Sequence, residues 1–112
     1  MNDICIVYIT ASGKEEAVGI SRVLVEKNLA ACVNIHDNVT SIYRWEGELK
    51  NEEETVLFVK TQTSLVPEIK KVVRGMHSYD CPCILTIPIQ DADKDFADWI
   101  ISQTEARGQK NA

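Results

Sequence analysis

An α+β fold with elements in the order β-α-β-β-α-β, plus one further helix, is predicted by three features of the sequence. Four segments rich in β-branched and aromatic residues read as strands, near 4–10, 31–45, 48–61 and 83–89. Between the first and second, and between the third and fourth, apolar residues recur at helical spacing. Only Glu46-Gly47 separates the second strand from the third, so those two form a hairpin. This is the split βαβ, ferredoxin-like arrangement. Its right-handed crossovers put both crossover helices on one face of an antiparallel sheet. At 112 residues the chain suits one domain, expected over 1–106, with a polar tail over 107–112.

Strand one is expected from Ile4 to Thr10. Ser12-Gly13-Lys14-Glu15 has the form of a capping box, and the helix after it runs to about Lys27 with Ala17, Ile20 and Leu24 on one side. The second strand, about Ala31 to Trp45, exceeds the usual ~5–6 residues and points to an element reaching past its own subunit. His36-Asp37-Asn38 reads as a bend within it, with His36 at the surface. Strand three runs from about Glu48 to Thr61, and Asn51-Glu52-Glu53-Glu54 reads as a solvated charge run, with an acidic cation site as the lesser alternative. Thr63 or Ser64 is the expected cap of helix two, with Pro67 in its first turn and Val66, Ile69, Val73 and Met76 as its apolar face. Strand four is expected from Cys83 to Ile89. Asp91 or Asp93 caps a third helix carrying Phe96, Trp99 and Ile100.

Composition narrows the function. A net charge of -5 and a pI near 5.0 argue against a nucleic-acid partner, which needs a basic face. The aliphatic strand faces also lack the stacking aromatics of an RNA-binding sheet. No apolar run approaches the ~20 residues of a membrane span, and Met1-Asn2-Asp3 does not begin a signal peptide, so the cytoplasm is the expected location. Four cysteines in a reducing compartment remain thiols. Cys5 and Cys32 read as buried strand residues. Cys81-Pro82-Cys83 lacks the spacing of a structural zinc site. No nucleophile–base pair, triad or phosphate-cradling glycine loop is present, so the chain does not read as an enzyme.

Both faces of the predicted sheet are apolar. Strand one offers Ile4, Ile6 and Tyr8 on one side and Cys5, Val7 and Ile9 on the other. Strand three sets Val56 and Phe58 against Leu57 and Val59, and strand four sets Leu85, Ile87 and Ile89 against Ile84 and Thr86. Helices cover one face only, and a sheet with one wet face should alternate apolar and polar. Covering the other face is worth on the order of 10 kcal/mol before entropic and desolvation costs. Self-association is therefore expected, although composition does not set the subunit number.

Leu-Ala-Ala-Cys-Val-Asn-Ile at 29–35 and Val-Thr-Ser-Ile-Tyr-Arg-Trp-Glu-Gly at 39–47 resemble the signature of the CutA family, the divalent-cation tolerance proteins. Lys60-Thr61 and His77-Ser78-Tyr79-Asp80-Cys81-Pro82 extend the resemblance, which runs from about Ile4 to Thr104. It implies a homotrimer, with long hairpins paired between neighbours, and a role in tolerance of divalent cations, copper foremost. The family pattern His-Pro-Tyr-Glu-x-Pro-Glu is altered here: Ser78, Asp80 and Cys83 replace three of its residues. Positions where copper-binding relatives carry further ligands hold Ile9 and Met76.

Two groups of candidate site residues follow. His77, Cys81 and Cys83, with Asp80 nearby, offer imidazole and thiol ligands that suit copper or another divalent metal, not required for folding. The plainer alternative for His77 is a loop histidine that hydrogen-bonds locally. Tyr43, Trp45, Lys60 and Tyr79 match residues that line a cleft between subunits in relatives. For these the alternatives are hairpin packing and a solvated strand end. A second functional reading is a trimeric regulator resembling the PII proteins, which would hold a small anionic ligand in that cleft.

Overall fold

A computed structural model describes residues 4–105, and the tail expected over 107–112 lies outside the described residues. The elements are β1 (Ile4–Ala11), α1 (Lys14–Glu26), β2 (Cys32–Trp45), β3 (Glu48–Gln62), α2 (Val66–Met76), β4 (Ile84–Pro88) and α3 (Lys94–Gln103). One sheet has the order β2-β3-β1-β4, and all its neighbours are antiparallel. This is the predicted split βαβ arrangement.

The core lies between one sheet face and the two crossover helices. Cys5, Val7 and Ile9 of β1 and Leu57 and Val59 of β3 meet Ala17, Ile20 and Leu24 of α1 and Ile69 and Val73 of α2. Each large aliphatic side chain sealed here contributes about 1.5–3 kcal/mol. The third helix does not join that layer. Its Ala97 and Ile100 pack on Ile4, and Phe96 lies under the Lys60 ammonium, 5.4 Å from the ring centre. Ile4 and Lys60 belong to the other face, so α3 covers one end of it. The rest of that face stays open: Ile6, Tyr8 and Phe58 are half-buried, while Leu85 and Ile87 are 57% and 44% exposed.

Several local expectations need correction. Glu16, not Glu15, closes the start of α1: one of its carboxylate oxygens accepts from both the amide and the hydroxyl of Ser12. Gly13 is the cap residue, so Glu16 is the fourth residue after Ser12. Neither Thr63 nor Ser64 caps α2. Thr63–Leu65 forms a 3-10 turn that runs directly into the helix, so the backbone itself supplies the start. Met76 is exposed at the end of α2, beyond the sheet. Cys32 is half-exposed because it faces away from the crossover helices. Asp93 does cap α3, accepting from the Phe96 amide.

Candidate functional site

The long hairpin brings Tyr43 and Trp45 to the open face by means of a bulge. His36 pairs with Val56 and Val39 with Glu54, so Asp37 and Asn38 stand opposite Thr55 alone. One extra residue in a strand reverses which side chains face which way. Before the bulge, Cys32, Asn34 and His36 face away from the helices; after it, Val39, Ser41, Tyr43 and Trp45 do. Asn38 takes the left-handed conformation, with φ 59°. The Asp37 carboxylate ties the bulge down by accepting from the Thr55 hydroxyl at 2.7 Å and the Asn38 amide at 2.9 Å. Those bonds hold it below the usual carboxylate range.

Opposite the hairpin stands the loop between α2 and β4. His77 anchors it. Its Nδ1 accepts from the Tyr79 amide at 3.0 Å, which leaves the proton on Nε2 to be donated to the Thr10 carbonyl at 2.7 Å. The Tyr79 ring lies against the imidazole, centres 4.7 Å apart. Glu16 adds a second tie, accepting from the Ser78 amide at 2.8 Å. Burial raises the Glu16 carboxyl, but the hydrogen bonds from Ser12 and Ser78 outweigh it and hold the group below its usual range.

Between hairpin and loop lies a cleft of about 550 Å3, within the size range of small-ligand sites. Tyr8, Tyr43, Trp45 and Tyr79 give its walls aromatic surface. Glu52, Glu54 and Asp80 supply three carboxylates, and Cys81 and Cys83 supply two thiols. Among the described residues no lysine, arginine or histidine lines the cleft. Tyr43 donates to Glu52 at 2.8 Å and Tyr79 to Glu54 at 3.0 Å. The bond to Glu52 raises the Tyr43 phenol. Burial, with the bond and charge of Glu54, pushes the Tyr79 phenol far above its ordinary value. Burial and then the Glu54 charge raise the Cys83 thiol, against a bond to the Thr10 side chain. The cleft favours cations over anions.

The fold therefore gathers Tyr43, Trp45, Tyr79, Cys81 and Cys83 at one cleft. It sets His77 behind the loop with both ring nitrogens engaged, and it holds Lys60 at the Phe96 ring instead. Glu52 and Glu54, expected to be solvated edge residues, are cleft residues. Their signal was present in the strand alternation, which puts 52 and 54 on the face of Tyr43 and Trp45 once the bulge is counted. Among the described residues no three His, Cys, Asp or Glu side chains converge to hold a metal ion. A divalent ion that needs four N/S ligands or six oxygens thus finds no complete set in one protomer. What lines the cleft are the side chains of Glu52, Glu54, Asp80, Cys81 and Cys83.

Residues 5–103 match the family model described as CutA1 divalent ion tolerance protein. The chain belongs to the CutA family. The divalent-cation tolerance protein CutA of Archaeoglobus fulgidus is 44% identical over 99 residues, which cover 88% of this chain and 96% of that protein. Its counterpart from Thermus thermophilus is 42% identical over the same shares. The human protein CutA is 35% identical, and the match spans 55% of its length. Among solved structures, CutA1 from Oryza sativa superposes with a TM-score of 0.90 at 31% identity, covering 93% of this chain and 95% of that one. The Archaeoglobus fulgidus structure, described as that of a periplasmic protein, superposes with a TM-score of 0.89 at 43% identity, covering 91% and 99%. The Archaeoglobus and Thermus relatives are named for tolerance of divalent cations and not for an enzymatic reaction.

Proposed function

We propose that this CutA-family chain is a non-enzymatic homotrimer that binds a divalent metal ion, copper foremost, in the cleft of its open sheet face, and acts in the cytoplasm. The observation that carries the reading is the lining: three carboxylates and two thiols with no basic residue among the described residues. Such a wall attracts cations and repels anions. The apolar part of the same face is left bare by the helices, so a neighbouring copy seated there would also close the cleft. His77 serves in this reading by setting the loop. It becomes a ligand only by giving up Thr10 or Tyr79. Proton release on binding is expected, since thiols ligate as thiolates.

The anionic-ligand reading has less support, because Lys60 lies over the Phe96 ring and not in the lining of this chain's cleft. Titration calorimetry of Zn2+ and Cu2+ into the reduced protein tests the metal reading. Binding weakened in Glu54→Gln and retained in His77→Ala is the expected result. Absence of heat for both ions in the native protein would refute it. A loss confined to His77→Ala, with the loop still ordered, would restore the imidazole as a ligand.

A further inference from the structure

We infer that Cys81 and Cys83 form a two-thiolate subsite for a soft univalent cation of the cuprous class. The inference rests on the reading of the cleft as the metal site, and it adds within it a subsite for the univalent ion. Three observations lead there. Both nitrogens of His77 are committed to the fold, so the nearest imidazole is withdrawn from ligation. No set of three His, Cys, Asp or Glu side chains converges among the described residues, which leaves a divalent ion undersupplied within one protomer. The two thiols, by contrast, both line one cavity and are separated by a single proline.

Ligand softness then decides between ions. Thiolate sulfur selects cuprous copper over hard cations, which prefer carboxylate and water. A d10 univalent ion is satisfied by two sulfur ligands, where zinc asks for four donors. The carboxylates of Glu52 and Glu54 already accept phenol hydrogens. They contribute negative field more readily than bonds. Cys81 is exposed and Cys83 half-buried, so both stay within reach of an ion entering the cleft. Each thiol releases its proton to solvent as its sulfur–metal bond forms. No electron is transferred, and the ion and two thiolates together carry one negative charge.

The experiment uses the reduced full chain without oxygen. Cu(I) is supplied as its acetonitrile complex and competed with a chromogenic cuprous chelator. Zn2+ is titrated in parallel. Copper per chain and the ultraviolet charge-transfer band of copper–thiolate bonds are both read. One Cu(I) per chain with that band is expected. Cys81→Ser and Cys83→Ser should each abolish the band and weaken binding by more than the roughly 10–100-fold that loss of a supporting group costs. Cys32→Ser, outside the cleft, should change neither. Retention of Zn2+ binding by the Cys81→Ser/Cys83→Ser double variant, with Cu(I) lost, would support the thiol pair as the selective element. Cu(I) bound equally by both single variants would overturn the inference while leaving the cleft as a metal site. Failure of the native chain to bind either ion would overturn it together with the proposed function.

Discussion

His77 works inward. One ring nitrogen takes the Tyr79 amide and the other gives its proton to Thr10, so the residue ties the α2–β4 loop to the end of β1. Two hydrogen bonds at about 0.5–1.5 kcal/mol each predict a loss of about 1–3 kcal/mol in His77→Ala, measured by denaturant unfolding. Glu16 performs the same service from α1, and its depressed carboxyl makes that service pH-dependent. A group whose folded pKa lies below its unfolded value stabilises the fold above the unfolded value, ~4.3 for glutamate. The contribution disappears as pH falls through the depressed folded value. Protection of the Ser78 and Tyr79 amides, taken relative to intrinsic exchange at each pH, should therefore fall in acid below about pH 4 in the native chain. In Glu16→Gln that acid-dependent step should be missing, and an unchanged step would assign it to another group. Thr61 shows how a buried hydroxyl is used, donating to the Leu29 carbonyl at 2.6 Å. Thr61→Val should cost about 1–3 kcal/mol, because it leaves that carbonyl without its partner.

At the scale of elements, the hairpin is the informative case. Glu46 and Gly47 both have positive φ, 51° and 83°, as a two-residue type I′ turn requires. Glycine takes this conformation without strain; glutamate does not. Glu46→Asn should raise stability by up to about 1 kcal/mol, seen as a higher melting temperature with an unchanged spectrum. The strands and helices were legible because alternation and helical spacing are local properties of the chain. The cleft was legible only in part. Tyr43, Trp45, Tyr79, Cys81 and Cys83 were read as site candidates, and the fold does bring them to one place. For Glu52 and Glu54 the solvated edge outweighs the acidic cation site in sequence, because their place beside Tyr43 and Trp45 depends on register, after a bulge at 36–38 whose change of face no local pattern shows. Lys60 stands apart from this cleft for a related reason. Its strand end is covered by α3, and a lone sequence does not say on which sheet face a terminal helix will settle.

For the whole molecule, the unfinished surface is the open sheet face. Half-buried Ile6, Tyr8 and Phe58 lie beside exposed Leu85 and Ile87, while α3 reaches only the end near Ile4 and Lys60. The helix-covered face holds the core of α1 and α2, and α3 covers one end of the second face, so the apolar side chains left bare beyond it add little to a lone chain's stability. It adds to an assembly, where apolar surface removed from water contributes about 25 cal/mol per Å2. A cyclic trimer closes on itself and leaves no face for further addition. Light scattering on the native protein should then give three times 12.6 kDa, about 38 kDa, at micromolar concentration. Leu85→Glu with Ile87→Glu places two charges in that contact without entering the core, since both side chains are exposed in the single chain. The double variant should run near 12.6 kDa while keeping its native circular dichroism. A native protein of 12.6 kDa would remove the trimer, and a double variant that stays assembled would move the contact to another surface.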